Sequence, residues 1–227
     1  MLSVDEIKKA AGVYAATLVE HGTTIGLGSG STVFFLIDEL GKMTKQGFRV
    51  TIVPASKKTE SLALQRNIPV ADLNEVESLV MTIDGADEVD PQLQLIKGGG
   101  GALLQEKIVA AASEKLIIIV DHSKLVQQLG KFPLPVEVID FGYKHVQEKI
   151  RTFGCSKIEL RKKDNKPFIT DHGHYILDCY FEKITDPSSL NISLHSIPGV
   201  VETGLFINMA NKILIAHIDG RIETIKK

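Results

Sequence analysis

Short runs of apolar residues, each followed by a stretch with helical spacing, are the feature of this 227-residue chain that most restricts its fold. Four such runs precede residue 131, and they predict strands at 23–28, 48–55, 78–87 and 115–121. The last of them, KLIIIVD, is almost continuous in branched aliphatic residues, and such strands are covered on both faces, as in a parallel sheet with crossover helices. The chain therefore predicts an α/β fold with a doubly wound, mostly parallel, Rossmann-like sheet.

Each predicted strand leads into a predicted helix, and one further helix comes before the first strand. The apolar spacing places these helices at 4–20, from Ser31 to Leu40, and at 57–67, 102–115 and 123–130.

After the prolines of KFPLPVEVID the pattern changes. Strands are predicted at 135–139, 156–161, 167–181 and 200–207, with helices at 144–153 and 186–197. The order β-α-β-β-α-β predicts a second, smaller ferredoxin-like α+β domain. The final segment, KILIAHIDGRIETIKK, predicts a hairpin that returns to the first domain. We expect a catalytic domain from 1–130 and 208–227, and a small domain from 131–207.

Composition bounds the class of protein. Apolar residues make up 44% of the chain and charged residues 24%, as in soluble globular proteins. The net charge of −2 argues against nucleic acid or an anionic membrane as the main partner. Cys155 and Cys179 fit no metal pattern or disulfide framework, and the chain begins with a charged helix, so we expect a cytoplasmic protein with reduced thiols.

Polar clusters follow the predicted strands. The first strand ends in Gly28–Thr32, the third in Asp84–Asp87 and the fourth in Asp121–Lys124, and the run KGGGG at 97–101 precedes its own helix. In open α/β sheets, ligands bind beyond the carboxyl ends of the strands, so we expect these four loops to line one site.

The loop GLGSGST resembles two better-known phosphate-binding loops without matching either. Ser31 stands where a dinucleotide fingerprint has its third glycine, and the lysine of a Walker A loop is missing. Exposed amides, hydroxyls and a helix N-terminus suit a phosphate or a polyol. A tight turn with an N-cap serine is an equally good interpretation of the loop alone.

The run DGADEVD does not follow the spacing of a calcium loop. Asp84 and Asp87 could bind sugar hydroxyls or move protons. A solvated acidic turn is the alternative, and we adopt it for Glu88 and Asp90. His172 and His174 are expected on one strand face as a surface pair, since no third metal ligand is in view.

Glu106 is the one carboxylate near the start of the helix after the glycine run. Its helical neighbours are Ala102, Leu103, Val109 and Ala110, so it should face packed protein or a cleft. Such a setting raises the pKa of a carboxyl group, which suits a general base. A glutamate stabilised by the helix dipole is the alternative.

Together, GLGSGST, TIDGADEVD, KGGGGALLQEKI, LGKFPLPVEV and IPGVVETGLF resemble ribose-5-phosphate isomerase type A, in this order and over essentially the whole chain. The resemblance implies interconversion of ribose 5-phosphate and ribulose 5-phosphate in the non-oxidative pentose phosphate pathway. It also implies the two-domain fold, no metal or organic cofactor, and a homodimer or homotetramer.

The resemblance also implies site residues. Glu106 corresponds to the family's proton acceptor, and Asp84, Asp87 and Lys97 join it as catalytic candidates. Substrate contacts are expected from the loops around them, at Ser29, Gly30, Ser31, Thr32, Asp84, Gly85, Ala86, Asp87, Lys97, Gly98, Gly99, Gly100 and Lys124. The chain departs from the common pattern at Ser29, where many members have threonine, and at Gly101, where alanine is common and glycine should loosen the start of the helix.

Two other classes of protein compete with this interpretation. A sugar-phosphate sensing module would share the fold, but it should carry a DNA-binding segment and would not need Glu106. A dinucleotide-dependent dehydrogenase is disfavoured by the incomplete fingerprint.

Overall fold

A computed structural model describes residues 2–227 of the chain. The six helices of this part, α1 to α6, are Val4–Ala16, Ser31–Lys45, Lys57–Gln65, Leu103–Ala111, Tyr143–Arg151 and Pro187–His195. Short 3₁₀ turns lie at Leu73–Glu75 and His122–Lys124. The strands, β1 to β15, are Thr23–Leu27, Val50–Pro54, Thr82–Asp84, Glu88–Val89, Leu95–Ile96, Leu116–Asp121, Leu134–Val138, Lys157–Leu160, Lys162–Lys163, Lys166–Pro167, Tyr175–Tyr180, Val200–Thr203, Leu205–Phe206, Ala210–Ala216 and Ile222–Lys226.

The chain packs into two compact units. Unit 1 contains the chain up to Ala86 together with Gln105–Lys124 and Met209–Lys227, and unit 2 contains Asp87–Leu104 and Leu125–Asn208. The predicted domain boundaries differ from these units at 87–104, 125–130 and 208, which pack with unit 2 rather than with the first domain. As boundaries of separately folding domains, the predicted limits stay a prediction.

Unit 1 contains a six-stranded sheet in the order β15-β14-β6-β3-β1-β2. All neighbours in it are parallel except β15, which pairs antiparallel with β14 at the edge. Both the parallel sheet and the returning C-terminal hairpin are therefore confirmed. All residues of β6 are buried, as its unbroken aliphatic sequence predicts.

Both faces of this sheet are covered. On β2, Ile52 packs in the main core with Leu36 of α2 and Ala15 of α1. The next residue, Val53, packs in a second cluster with Val109 of α4. Because successive strand residues point to opposite faces, α1 and α2 lie on one side of the sheet and α4 on the other.

The helix predicted at 123–130 is wrong. After β6 the chain makes only the 3₁₀ turn His122–Lys124, and the next residues bridge to β4. The Val126 N–H donates to the Val89 carbonyl at 2.9 Å, so this backbone is used for tertiary pairing instead of a helix.

Unit 2 contains an antiparallel sheet in the order β12-β7-β11-β8, with α5 after β7 and α6 after β11. When these four strands are numbered 1 to 4 along the chain, their order across the sheet is 4-1-3-2. This is the arrangement of the ferredoxin-like motif, so that prediction is confirmed. A second sheet, β13-β5-β4, was not predicted. Each of its strands has two residues, too few to show a period in the sequence.

The long strand predicted at 167–181 is wrong in its first half. Lys166–Pro167 pairs with β9, and the chain then turns before β11 begins at Tyr175. His172 and His174 lie in this turn rather than on a strand face. His174 is half-buried, and its Nδ1 lies 2.9 Å from Oε1 of buried Glu137.

Candidate active site

At the carboxyl end of β1, the chain passes extremely close to the end of β3. A Cβ atom on Gly28 would lie 1.7 Å from Oδ1 of Asp84, so only glycine fits there. Asp84 is fully buried, and its Oδ1 accepts hydrogen bonds from the amides of Ser29 at 3.2 Å and Gly85 at 2.7 Å. The carboxylate therefore joins the loops after β1 and β3 at the sheet edge where ligands bind in this class of fold.

The hydroxyl group of Ser29 begins a series of hydrogen-bonded hydroxyl groups. Its Oγ lies 3.2 Å from that of Ser56, which is 3.0 Å from Oγ1 of Thr59. The Thr59 hydroxyl donates to the Gly28 carbonyl at 2.7 Å, so this series of hydrogen bonds returns to the loop after β1. Sequence reasoning missed Ser56 and Thr59, although the loop after β2 ends at the same sheet edge and could have indicated them.

Helix α2 begins at this edge without a side-chain cap. Gly30, with φ of 115°, precedes its first residue, Ser31, and has no side chain that could accept from the first-turn amides. The interpretation of this loop as a turn with an N-cap serine is therefore wrong. The first-turn amides, the dipole and the exposed Ser31 form a setting that favours an anion, and Thr32 stands next to them, 9% exposed.

Glu106 lies in the first turn of α4 and is only 4% exposed, which confirms that it does not face open water. The preceding side chain fixes where this turn lies: Nε2 of Gln105 donates to the carbonyl of Pro54, the last residue of β2, at 2.9 Å. One turn later, Val109 packs so closely on β1 that a Cβ on Gly26 would lie 2.5 Å from it. Helix α4 is thus held with its first turn at the carboxyl edge of the sheet.

The loop after β6 reaches the same edge. The carboxylate of Asp121, the last residue of β6, accepts hydrogen bonds from the Ser123 amide at 2.9 Å and from its hydroxyl. Lys124 ends this 3₁₀ turn and is partly exposed. Its ammonium group is therefore carried by a braced turn at the sheet edge.

In unit 2, the glycine run follows β5. The Lys97 amide donates to the Gly204 carbonyl at 2.9 Å, and its Nζ lies 5.2 Å from the centre of the Phe206 ring. Lys97 is 2% exposed. The Gly99 amide donates to Oδ2 of Asp87 at 2.8 Å, so the aspartate braces the run.

The glycines of the run differ in what surrounds them. Gly98 and Gly101 have φ of 101° and 84°, a region that L side chains rarely adopt. A Cβ on Gly101 would lie 2.4 Å from Cζ of Phe168, whereas a Cβ on Gly100 would meet nothing within 4 Å. Gly99 and Gly100 are the exposed glycines of the run, and Gly100 is the one with open space for a side chain.

The interpretation of Glu88 and Asp90 as solvated residues is wrong. Glu88 is 3% exposed, and its two oxygens accept from the amides of Gly130 at 2.7 Å and Phe132 at 2.6 Å. Asp90 accepts from two amides of its own turn, and burial raises the pKa of its carboxyl group. Both carboxylates are buried because backbone N–H groups replace their water.

The predicted site residues thus form one cluster in each unit. At the carboxyl edge of its sheet, unit 1 carries Ser29, Gly30, Ser31, Thr32, Asp84, Gly85, Ala86, Glu106 and Lys124. In one braced loop, unit 2 carries Asp87, Lys97, Gly98, Gly99 and Gly100. Within residues 2–227, no three His, Cys, Asp or Glu side chains are grouped to hold a metal ion, and none of the helices could span a bilayer.

The chain is similar to known proteins over almost its whole length. The family model for ribose 5-phosphate isomerase A (phosphoriboisomerase A) matches residues 51–220. Ribose-5-phosphate isomerase A of Bacillus anthracis is 57% identical over 216 residues, which cover 95% of this chain and 98% of that protein. The chain belongs to the ribose 5-phosphate isomerase A family.

Solved structures of similar proteins have the same fold. A D-ribose-5-phosphate isomerase in complex with phospho-erythronic acid is 39% identical, with a TM-score of 0.96 and 100% of both chains covered. Ribose 5-phosphate isomerase from Plasmodium falciparum is 39% identical, with a TM-score of 0.95 and 99% of each chain covered. The α/β architecture with additional small sheets is therefore that of the family.

Proposed function

We propose that this chain interconverts D-ribose 5-phosphate and D-ribulose 5-phosphate, as an aldose–ketose isomerase of the non-oxidative pentose phosphate pathway. The observation that carries the proposal is the buried carboxylate of Glu106, presented by α4 at the sheet edge that also holds Asp84 and the uncapped start of α2. A carboxylate that can take and return a proton beside a phosphate-binding element is what this isomerisation needs.

Glu106 acts as the base. It removes the proton from C2 of the aldose to give a cis-enediolate and returns it to C1 on the same face, so one carboxylate performs both transfers. The negative charge that develops on the enediolate oxygens requires positive or hydrogen-bonding groups. Lys97 and the amides of Gly98 and Gly100 supply them, while the Gly99 amide donates to Asp87.

Asp84 and Asp87 assist the opening of the cyclic sugar as acid or base. Each also has a structural task, because the Asp84 carboxylate joins two loops and the Asp87 carboxylate braces the glycine run. Replacement of either should therefore change both the geometry and the chemistry.

The phosphate binds at the start of α2. Ser29, Gly30, Ser31 and Thr32 offer hydroxyls and amides there, and Lys124 contributes a charge from the loop after β6. Gly85 and Ala86 line the sugar between these groups. The relative solved with phospho-erythronic acid, a phosphorylated sugar acid, supports a ligand of this class.

The deciding experiment is conversion of ribose 5-phosphate to ribulose 5-phosphate by the purified chain, with EDTA present throughout. We expect turnover without added metal or cofactor. A chain that binds the sugar phosphate without turnover would instead be a sensing module, and activity that disappears with EDTA would contradict the proposed mechanism.

We further propose that the chain works in the cytoplasm as a homo-oligomer, a dimer or a tetramer, with no nucleic-acid or membrane partner. Exposed apolar side chains support the assembly: Phe141 is 85% exposed and Ile192 is 71% exposed. Light scattering after gel filtration should give a mass of two or four times 24.8 kDa. A single 24.8 kDa species would contradict the assembly.

A further inference from the structure

The side chain of Arg161 reaches the glycine run from 63 residues away in the sequence. Its Nη1 donates to the carbonyl oxygens of Gly98 at 2.7 Å and Gly99 at 3.3 Å. Two successive carbonyl groups of the run thus share one guanidinium nitrogen. Arg161 was not among the site residues that the sequence indicated.

The guanidinium group is itself held in place. Its Nε donates to Oδ2 of Asp178 on β11 at 3.0 Å, and its Nη2 donates to Oδ1 at 2.5 Å. A bidentate pair of this kind fixes the plane as well as the position of the guanidinium group. The Arg161 and Asp178 side chains are only 14% and 16% exposed, so solvent screens the pair little.

The same hairpin holds the far end of the run. The Phe168 amide donates to the Arg161 carbonyl at 2.9 Å, and the Phe168 ring packs on Gly101 so closely that a Cβ there would not fit. The hairpin at 161–168 therefore contacts the run at both ends, through a cation at Gly98 and Gly99 and through an aromatic ring at Gly101.

Because each peptide group is planar, fixing the carbonyl oxygen of one glycine also fixes the direction of the N–H of the next residue. The carbonyl of one residue and the N–H of the next belong to one rigid plane and point in opposite directions. Fixing the Gly98 carbonyl directs the Gly99 N–H, which donates to Asp87. Fixing the Gly99 carbonyl directs the N–H of Gly100, the exposed glycine with open space for a side chain.

We infer that Arg161 is a positioning residue of the isomerase, which orients the Gly100 amide toward the developing enediolate and the Gly99 amide toward Asp87; this inference rests on the proposed function. Asp178 holds the guanidinium group in the required plane. A lysine cannot replace Arg161, because it is a single point charge and cannot donate to Asp178 and to two carbonyls in one fixed geometry. Arg161 thereby contributes to catalysis without touching the substrate.

The test compares Arg161→Ala, Arg161→Lys and the double variant Arg161→Gln/Asp178→Asn with the unaltered chain. The double variant removes both charges, so no unpaired carboxylate destabilises it. Because the loss of one oxyanion donor costs about 10²–10³-fold in kcat, we expect misdirected amides to cost about 10-fold or more in all three variants, with KM changed less than about 3-fold. Millimolar guanidinium chloride, far below denaturing concentrations, should restore part of the kcat of Arg161→Ala, and equal sodium chloride should not.

Arg66→Ala is the matched control. Nε of Arg66 donates to Oδ1 of Asp38 at 2.9 Å, which is also an arginine–aspartate pair between distant parts of the chain, but it contacts no glycine of the run. This variant should keep the kcat of the unaltered chain.

Hydrogen exchange at the Gly99 amide, which donates to Asp87, provides a readout that does not depend on turnover. In Arg161→Ala and in the double variant, this amide should exchange faster than in the unaltered chain, while the amides of β6 keep their rates. An inactive but folded unaltered chain would defeat the proposed function, and the exchange comparison would still test the positioning. Unchanged exchange, a kcat within about twofold of normal, or a loss that follows the folded fraction and is not restored by guanidinium overturns the inference.

Discussion

Glu106 combines burial with a place in the first turn of α4, where the helix amides stabilise negative charge. Such a place suits a base that must take and return a proton away from bulk water.

Replacement of Glu106 by glutamine should remove the base and preserve its shape. We expect Glu106→Gln to fold and bind substrate while losing about 10²-fold or more in kcat, the usual scale of general base catalysis. Steady-state kinetics measure kcat, and calorimetry measures binding. Glu60 is an exposed glutamate in the first turn of α3. Glu60→Gln is therefore the matched control and should leave kcat unchanged. Near-normal kcat in Glu106→Gln would move the base elsewhere, with Asp84 the next candidate.

The sequence suggested that glycine at position 101 would loosen the start of α4, but in the structure it does not. The residue is buried, takes a left-handed φ of 84° and packs against Phe168. An alanine there needs both a different backbone and a displaced ring. The departure from the common alanine is therefore explained by the aromatic residue that faces it.

A comparison of Gly101→Ala with Gly100→Ala should distinguish the cost of backbone strain and steric clash from the effect of a methyl group in open space. A left-handed conformation costs an L residue about 1–2 kcal/mol, and the clash with Phe168 adds to it, so Gly101→Ala should lower the free energy of unfolding by at least that amount. Gly100→Ala has open space and should change it by less than about 0.5 kcal/mol. Urea denaturation measures both values. Gly101→Ala should regain stability when combined with Phe168→Ala, and equal stability of the two single variants would contradict this account.

At the scale of elements, helix starts are specified locally by their caps. Ser3 forms a capping box with Glu6 at α1, Ser56 caps α3, and Asp186 caps α6 with a proline at the first turn. Helices α2 and α5 instead follow glycines, Gly30 and Gly142, which offer no side-chain cap. At α2 this leaves the first-turn amides open to the phosphate that we propose to bind there.

The cap of α6 predicts a pH-dependent stability. Hydrogen bonds from the Ser189 hydroxyl and amide hold the pKa of Asp186 below its ordinary value. The stabilisation is therefore complete above the unfolded pKa and is lost as the pH falls through the folded pKa. Asp186→Ala should be less stable than the unaltered chain at pH 7, and the difference should shrink below about pH 4, near the ordinary pKa of an aspartate.

Asp186→Asn is the control for this prediction. Asparagine is an equally good cap that does not titrate, so its stability relative to Asp186→Ala should not depend on pH. Thermal unfolding followed by circular dichroism at several pH values measures both. A difference between Asp186→Ala and the unaltered chain that stays constant down to pH 2 would contradict the role of the ionised cap.

At the scale of the whole molecule, each unit carries part of the proposed machinery. Glu106 and Ser29–Thr32 belong to unit 1, and Lys97 and the glycine run belong to unit 2. The units are linked between Ala86 and Asp87 and again within α4, so consecutive residues of one motif belong to different units. A ligand that uses both clusters should stabilise both units.

Binding of phospho-erythronic acid should therefore protect amides in both units from hydrogen exchange. At a ligand concentration of 100 times Kd, linkage stabilises the folded state by about 2.7 kcal/mol, so the thermal midpoint should also rise. Mass spectrometry should show protection at Ser29–Thr32 and at Gly98–Gly100. Inorganic phosphate is the control and should protect the first segment only. Protection in a single unit with the sugar acid would contradict a shared substrate.

The sequence by itself determined the parallel sheet, the ferredoxin-like unit and the position of Glu106 on a helix after the glycine run. Long aliphatic runs and helical periods are local patterns, and they persist because the elements bury their apolar faces as the patterns require. Tertiary structure alone decided the three-stranded sheet, the burial of Glu88 and Asp90, and the contact of Arg161 with Gly98 and Gly99. The Glu88 carboxylate meets the Gly130 amide 42 residues away, and the Arg161 guanidinium meets the Gly98 carbonyl 63 residues away. Because every residue carries the same backbone groups, the sequence does not specify which of them will meet.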